Sequence, residues 1–519
     1  MNNKYQLKVG AVLSYVQMFI GVIISLIYTP IMLKLLGQSE YGLYNTVSST
    51  ISMLSLLNLG LNSGYIRYYA KYQKNNDIES IWKLNGLFLI IFTIIGIIAF
   101  ICGLFLSFNL NYVFSEGLTS SEYGVAKVLM ILMTCNLSIS FPMSVFSHII
   151  SANEKFVFLK VVGIIKTVLS PLVTLPILLM GFRSIAMVTV TLIFSLVTDV
   201  IYAYYVVVKL HNRFIFYNFE KGIFGSLFSY TAFIAINLIV DQINWNVDKI
   251  LLGRFKGTEV VAVYSVGYTL YQYYMMFSTS ISSVFTPRIH RIVNETNDNL
   301  FMRRENLTDL FIKVGRIQFI LLSLVASGIV FFGKDFITKY WAGSNYGESY
   351  YVTLLLVLPS SIALIQNIGI EIQRAQNKHK FRALVYIGMA IINVGISIIL
   401  CQKYGATGSA VGTAISLILA NGLIMNIYYH LCCNIDVIKF WSNIGRLLLG
   451  LINPTLYGLV INNYFELANI WSYLGNIILY IVVYCVSMWF IGMNKSEKNI
   501  LIKPVQMTVS KFFHDSNGR

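Results

Sequence analysis

Apolar runs of spanning length recur along nearly the whole chain, and they restrict its fold more than any other feature. A helix needs about 20 consecutive apolar residues to cross the hydrocarbon core of a bilayer. About fourteen runs meet that need, and the predicted spans in chain order are 11–35, 41–66, 84–107, 125–150, 157–181, 184–208, 224–247, 258–285, 313–333, 351–372, 383–402, 406–430, 442–463 and 469–492. Because lipid offers the backbone no hydrogen bonds, such runs must be helical. The predicted fold is therefore an all-α polytopic membrane protein.

The composition excludes a soluble protein. Of the 519 residues, 56% are hydrophobic and only 12% are charged, whereas soluble domains are about one quarter charged. Lys4 and Lys8 lead directly into span 1 and no small-residue cleavage site follows, so no cleavable signal peptide is predicted. The net charge of +16 is typical of a membrane protein with basic cytoplasmic loops. Nucleic acid is therefore not a predicted partner.

The distribution of Lys and Arg predicts the orientation. With the N-terminus in the cytoplasm, 28 of the 38 basic residues fall in or beside inside segments and 9 fall outside, while Lys166 lies within span 5. Cytoplasmic segments carry such an excess, so an even number of spans with both termini in the cytoplasm is predicted. After Gly492, lysines are interspersed with apolar residues, which indicates either a helix on the inner leaflet or a solvated tail.

Two hairpin motifs, separated by about 216 residues, indicate an internal repeat. The first reads LGQSEYGLY at 36–44, and the second reads DKILLG at 248–253 followed by VAVY at 261–264. Six spans precede the second hairpin, so the two halves keep the same orientation and form a parallel repeat. The predicted domains are a six-helix lobe at 1–215, a second six-helix lobe at 216–432, two further helices at 433–493 and a cytoplasmic tail at 494–519.

Charged residues within the spans are the first candidates for function. Lys166 lies in span 5, Asp199 in span 6 and Asp241 in span 7, and Asp248 follows Asp241 by seven residues on about the same helical face. Each such charge costs about 2.5–3.5 kcal/mol at a helix centre. They are therefore expected to face a wet cavity or one another. One interpretation is a pathway for a charged substrate or a coupling ion, and the other is a buried pair of Lys166 and Asp199 that joins two helices.

A second group of residues suits a diphosphate. Arg67 ends span 2 on the same stretch as Asn62, and Arg288 follows span 8 in the corresponding place. A guanidinium can hold phosphate oxygens bidentately, although Arg67 could equally be an interfacial anchor.

Motifs of soluble enzymes do not occur in the sequence. It has no phosphate-binding glycine loop, no His-Glu-x-x-His and no nucleophile elbow. The six cysteines have no metal-ligand spacing. The sequence therefore predicts neither a catalytic residue nor a cofactor nor a metal site, and the chain is not expected to be an enzyme.

The combined motifs resemble a known family, the bacterial polysaccharide-biosynthesis flippases of the Wzx type. The resemblance rests on LGQSEYGLY at 36–44 with NLGLN at 58–62 and RYY at 67–69, on NVDKILLG at 246–253 with VAVYSV at 261–266, and on FGKDF at 332–336 with YWAG at 340–343. That family is similar in fold to multidrug exporters of the MATE type and to peptidoglycan lipid-precursor flippases. The resemblance implies two six-helix lobes around a central cavity, with spans 13 and 14 added.

The resemblance also implies a function. It implies transfer of an undecaprenyl-diphosphate-linked oligosaccharide from the inner to the outer leaflet of the bacterial cytoplasmic membrane. The implied mechanism is alternating access driven by an H⁺ or Na⁺ gradient or by the membrane potential. Membrane lipids and a polysaccharide polymerase of the same pathway are further implied partners. Arg67, Lys166, Arg288 and Asn62 would then contact the diphosphate or line the cavity, and Asp199, Asp241 and Asp248 would serve ion coupling.

Two other functions stay open. A cation-coupled multidrug exporter would share the fold. A membrane-embedded polysaccharide polymerase or ligase would belong to the same pathway, but such an enzyme usually needs a sizeable outer loop with Arg and His. The longest predicted outer loops, 108–124 and 334–350, are short and contain little of either.

Overall fold

The computed structural model describes residues 3–114, 117–220, 222–296, 299–464, 469–499 and 502. Within these ranges the chain is helical and contains no strand. The α-helices are α1 Asn3–Met53, α2 Leu61–Lys74, α3 Ile78–Phe108, α4 Leu110–Val113, α5 Ser120–Ala152, α6 Phe156–Leu179, α7 Ser184–Tyr204, α8 Ile223–Phe255, α9 Thr258–Glu295, α10 Leu300–Asp335, α11 Gly347–Ile365, α12 Ile368–Ala375, α13 His379–Leu417, α14 Met425–Leu431, α15 Val437–Leu448, α16 Ile452–Tyr464 and α17 Ile470–Ser487.

The number of membrane crossings agrees with the prediction. Among the described residues, ten helical segments are long and apolar enough to cross a membrane. Two of them, Lys8–Lys74 and His379–Leu431, have 67 and 53 residues and each contain two of the predicted spans. The long helices α8 and α9 occupy predicted spans 7 and 8. The all-α polytopic membrane fold is confirmed, and its helices are consistent with about fourteen crossings.

Glycines with positive φ separate the paired spans. Gly37 has φ 78° and ψ 170°, and it divides α1 at the predicted polar turn. Gly405 has φ 58° and ψ −133° and divides α13 in the same way. Positive φ is accessible to glycine without the steric cost that a Cβ brings. In each turn the glycine is the residue with non-helical backbone angles, and helix precedes and follows it.

Predicted span 2, 41–66, lies within the spanning segment Lys8–Lys74, but it is not one continuous helix. The helix α1 ends at Met53, a 3₁₀ turn covers Leu54–Asn58, and α2 begins at Leu61. Leu59 and Gly60 between them are both left-handed, with φ 48° and 71°. A left-handed pair cannot continue a right-handed helix, so backbone carbonyls near the break lose their helical partners. The periodic apolar pattern across this region concealed the break.

The chain forms two compact units. The first comprises residues 1–266 with 390–412, and the second comprises residues 267–389 with 413–519. In the first, Tyr65 packs edge-on against Phe88 with ring centroids 5.1 Å apart. In the second, Phe332 packs against Tyr480 with centroids 5.4 Å apart. The predicted lobes 1–215 and 216–432, the helices 433–493 and the tail 494–519 stay a prediction.

The two hairpin motifs meet at a close contact within the first unit. A Cβ added to Gly42 would lie 1.7 Å from the Thr258 carbonyl oxygen. Beside this contact, Glu122 accepts hydrogen bonds from Ser39 at 2.5 Å and from the Thr258 hydroxyl at 2.6 Å. Gly42 thus lets the backbones approach, and Glu122 joins both hairpins to the first turn of α5. We call Ser39, Gly42, Glu122 and Thr258 the hairpin seam.

Candidate functional site

The helix α8 carries a buried carboxylate in the first unit. Asp248 has only 2% of its surface exposed. The Tyr264 hydroxyl of α9 donates to Asp248 Oδ2 at 2.7 Å, and the Ser409 hydroxyl of α13 donates to Oδ1 at 2.7 Å. Three helices therefore meet at one acidic side chain. We call Asp248, Tyr264 and Ser409 the acidic centre.

The two hydroxyl groups orient the carboxylate without a charge of their own. Lys249, the next residue, attracts the carboxylate electrostatically from the same helix. A carboxylate removed from water is held at high cost unless it binds protons or cations or accepts hydrogen bonds. The Tyr264 and Ser409 hydroxyl groups meet this need in Asp248, and a bound proton or small cation is the alternative way to meet it.

Further polar groups lie near Ser409 on the part of α13 that precedes the break at Gly405. The Ser397 hydroxyl donates to Asn393 Oδ1 at 3.2 Å and lies 3.5 Å from the Ser409 carbonyl oxygen. A Cβ on Gly412 would meet Ser397 Oγ at 2.6 Å, so the glycine permits this approach. The acidic centre is thus continuous with a polar face of residues 393–412, all within the first unit.

The break between α1 and α2 supplies a second polar region. The side-chain oxygens of Asn58 and Asn62 are buried and accept no hydrogen bond from the described residues. A Cβ on Gly60 would lie 2.5 Å from Ile234 Cγ2, so α8 lies directly against the break. Irregular backbone at membrane depth is typical of transporter sites, where it lines a polar cavity.

Polar side chains of α8 continue towards this break. Gln242 Nε2 donates to Ser55 Oγ at 3.2 Å, and Asn246 Nδ2 donates to Gln242 Oε1 at 2.6 Å. Gln242 and Asn246 precede Asp248 on α8 by six and two residues. One helix therefore carries both the amides that contact the break and the carboxylate of the acidic centre.

The predicted residues near these regions differ in their surroundings. Asn62 is half-buried at the start of α2, whereas Arg67 is exposed further along α2. Asp241 is exposed on α8, and Asp248 is buried. The sequence placed both aspartates on about the same helical face, but their environments differ. Of the two carboxylates, only Asp248 is buried, so only Asp248 needs partners within the protein to replace water.

Lys166 and Asp199 lie close together in the first unit. Lys166 Nζ of α6 donates to Ser195 Oγ of α7 at 2.9 Å. Asp199, one turn further along α7, attracts Lys166 electrostatically, and no ion pair within 4 Å joins these two described residues. The hydrogen bond to Ser195 joins α6 to α7. Both charged side chains are half-buried.

Arg288 belongs to the second unit. It follows Pro287 within α9, and its side chain is exposed. A cleft of about 680 Å³ lies beside it, between α9 and α10.

Sequence reasoning missed several partners of the predicted residues. Tyr264 lay within a quoted motif, but nothing marked it as a donor to Asp248. Ser409 is 161 residues from Asp248 in the chain and lies in an apolar run like many other serines. Ser195 gave no signal either. The one available indication was that Ser195 lies four residues, about one helical turn, before Asp199.

Comparisons with known proteins support the fold and the family. Residues 7–293, more than half of the chain, match the family described as polysaccharide biosynthesis protein. A Shigella flexneri protein named as a candidate O-antigen transporter is 23% identical over 406 residues, which cover 76% of this chain and 91% of that protein.

Two solved structures share the fold. The lipid II flippase MurJ in an inward closed conformation has a TM-score of 0.68 at 17% identity, covering 96% of this chain and 99% of MurJ. An inward-facing multidrug resistance MATE family transporter of the MOP superfamily has a TM-score of 0.64 at 16% identity, covering 82% of this chain and 99% of the transporter. The MATE-like fold implied by the resemblance is therefore confirmed. With the match over residues 7–293, the chain belongs to the polysaccharide biosynthesis protein family.

Proposed function

We propose that this protein is a flippase that moves an undecaprenyl-diphosphate-linked oligosaccharide from the inner to the outer leaflet of the bacterial cytoplasmic membrane. The family match over residues 7–293 carries the proposal. A relative named for O-antigen transport and a fold shared with a lipid II flippase support it. In this proposal both termini are cytoplasmic, as the distribution of basic residues predicts.

Ion coupling is proposed to act through the acidic centre. Asp248 is held by hydroxyl donors from two other helices, at 2.7 Å each. Binding of H⁺ or Na⁺ would change the charge at the meeting point of α8, α9 and α13. A cation that binds one conformation of the protein more tightly than another increases the population of that conformation, by an amount set by the difference between the two affinities. Asp199 and Asp241 are proposed as further acidic residues of the coupling path.

The lipid-linked oligosaccharide is proposed to contact charged side chains through its diphosphate and asparagine side chains through its sugars. Arg67, Lys166 and Arg288 are proposed contacts for the diphosphate, because cations bind it with charge-assisted hydrogen bonds. The buried oxygens of Asn58 and Asn62 need donors. Such an acceptor costs about 1–3 kcal/mol while it has none. Sugar hydroxyl groups are donors of the right kind, so the break at Leu59 and Gly60 is a proposed sugar contact.

The proposal is tested by transport in liposomes. A fluorescent undecaprenyl-diphosphate oligosaccharide is placed in one leaflet of vesicles with or without the purified protein, and its arrival in the other leaflet is followed by quenching. Protein-dependent movement is expected, and a proton or sodium gradient is expected to accelerate it. Absence of movement combined with efflux of a cationic dye would instead support the multidrug exporter that the MATE-like fold also permits.

Asp248→Asn is expected to remove the dependence on the ion gradient. The change keeps the size of the side chain but deletes the charge, so cation affinity should fall at least about tenfold, equivalent to about 1.4 kcal/mol. The measurement is the ratio of transport rates with and without a gradient. Glu79→Gln is the control, because it removes an exposed carboxylate that pairs with Lys83 at 2.7 Å. An unchanged ratio in Asp248→Asn would remove the acidic centre from the mechanism.

A further inference from the structure

The cleft of about 680 Å³ between α9 and α10 has an unusual charge balance. Arg288 and Arg291 line it from α9 at a spacing of three residues, which places them on one helical face. Lys313 faces them from α10. Two carboxylates, Glu295 and Asp309, also line the cleft. The volume is large enough for a lipid headgroup, since ligand pockets commonly span about 300–1,000 Å³.

The two carboxylates are already engaged. Glu295 accepts from Arg291 Nε at 2.7 Å, and Asp309 pairs with Lys439 at 3.2 Å. Arg288 and Lys313 make no ion pair with the described residues. The cleft therefore presents two uncompensated cations from opposite helices. Such an arrangement attracts an anion, because each of the two can donate charge-assisted hydrogen bonds to it.

The first turn of α10 indicates where the anion comes from. Leu300 and Phe301 are 64% and 78% exposed, and Met302 is 51% exposed. Three adjacent large apolar side chains at a helix start are costly in water, but they are favourable at the boundary of headgroups and acyl chains. Arg303 and Arg304 follow directly. Apolar residues followed by basic ones are typical of helices that lie at an anionic membrane surface.

The cleft also has apolar walls. Ile292 of α9 and Leu310 of α10 line it beside the cations. An amphipathic ligand would satisfy both features, with its phosphate between Arg288 and Lys313 and its glycerol or acyl end against the apolar side chains. A free inorganic anion would gain nothing from the apolar walls.

We propose that this cleft binds the phosphate of an anionic membrane phospholipid, with Arg288 and Lys313 as its ligands from the two helices. The site belongs to the second unit. It assigns Arg288 to a resident phospholipid in place of the transported diphosphate, and the proposed transport activity does not require it. Bound lipid would connect α9 to α10 beside Pro287, where the missing backbone N–H interrupts the hydrogen bonding of α9.

The test is lipid retention by the purified full-length protein, measured by native mass spectrometry. Equal amounts of phosphatidylglycerol and phosphatidylcholine are offered, and preferential retention of phosphatidylglycerol is expected. Each basic residue near an anionic leaflet contributes about fivefold, so the double variant Arg288→Gln/Lys313→Gln should lose about thirtyfold in that preference. All of the changed side chains are exposed, so folding should persist, and the midpoint of thermal unfolding checks this.

Arg304→Gln is the matched control, compared with the single variant Arg288→Gln. It removes one exposed charge from the start of α10 without lining the cleft. Its lipid preference should fall by clearly less than that of Arg288→Gln, because Arg304 attracts the anionic leaflet but does not contact a phosphate held in the cleft. Equal loss in Arg304→Gln, or retained preference in the double variant, would overturn the proposal.

Two further probes distinguish the sources of phosphate. Inorganic phosphate at millimolar concentration should not displace the bound lipid, and displacement would reduce the cleft to a simple anion site. A polyprenyl diphosphate is offered in phosphatidylcholine. If it alone is retained and phosphatidylglycerol is not, the membrane phospholipid is the wrong ligand and the cleft belongs to the transported lipid.

Discussion

Arg316→Ala is expected to lower the free energy of unfolding of the second unit by about 3–5 kcal/mol, because it leaves Glu497 as a buried charge without its partner. Arg316 and Glu497 are only 4% and 3% exposed. Arg316 Nε donates to Glu497 Oε1 at 2.5 Å, and Nη2 donates to Oε2 at 3.0 Å. This is the bidentate geometry that gives an Arg–carboxylate pair its strength.

The remaining guanidinium donors tie three chain segments together. Arg316 Nη1 donates to the Asn443 carbonyl at 2.8 Å, and Nη2 donates to the Gly492 carbonyl at 3.0 Å. Asn494 and Glu497 cap each other, with their backbone N–H groups donating to the opposite side chains at 2.9 Å. The single side chain of Arg316 thus connects α10, α15 and the segment that follows α17.

The loss is measured by thermal or denaturant unfolding of the purified protein in detergent. Lys495→Ala is the control, because Lys495 is an exposed cation two residues from Glu497. It should change the free energy of unfolding by no more than about 0.5 kcal/mol. Arg316→Met/Glu497→Leu should regain much of the loss, because an apolar pair leaves no buried charge. Equal stability of Arg316→Ala and Lys495→Ala would contradict the importance of the pair.

The pair also revises the interpretation of the tail. The sequence indicated a surface helix on the inner leaflet or a solvated tail after Gly492. Residues 495–499 are helical, and Glu497 is buried against Arg316. The start of the tail is therefore a packed part of the second unit. Lys503 and Lys511, on which the prediction also rested, lie outside the described residues.

The membrane-spanning helices were the most predictable part of the fold. Lipid leaves the backbone no alternative to internal hydrogen bonding, so length and apolarity largely decide where a helix lies. The break at Leu59 and Gly60 was not predicted, because a left-handed pair changes neither the apolarity nor the length of span 2. Local backbone geometry of this kind depends on the helix packed against it.

The candidate site was only partly predictable. Asp248 was found because it follows Asp241, a costly charge within span 7, by seven residues on about the same helical face. Its donors Tyr264 and Ser409 were not found, because their role depends on the packing of α9 and α13 against α8. The topology count likewise treated every cation alike, although Arg316 is buried in an ion pair. Sequence reveals the charges, whereas the three-dimensional packing determines their partners.

Gly42→Ala is expected to destabilise the first unit by about 3 kcal/mol or more and to reduce the yield of folded protein. Overpacking typically costs about 1–3 kcal/mol where neighbouring side chains can adjust, and here the neighbour is backbone. The added Cβ would lie 1.7 Å from the Thr258 carbonyl oxygen and 2.5 Å from its carbon. Non-bonded carbon contacts favour about 3.5–4.0 Å, so the hairpins would have to separate by roughly 2 Å. Separation would also break the hairpin seam, where Glu122 accepts from Ser39 and Thr258 at 2.5 and 2.6 Å.

Gly124→Ala provides the control for Gly42→Ala, because Gly124 lies two residues from Glu122 and an added Cβ there meets nothing within 4 Å. It should be neutral or stabilising by up to about 1 kcal/mol, since alanine favours the helix over glycine. Size-exclusion profiles and unfolding midpoints of both variants in detergent give the comparison. If Gly42→Ala unfolds within about 1 kcal/mol of Gly124→Ala, the hairpins do not depend on this contact. If it fails while Gly124→Ala folds, the glycine of the first hairpin motif is a steric requirement for packing against the second. The motifs that identify the family would then mark a packing contact between its two hairpins and need not mark a substrate site.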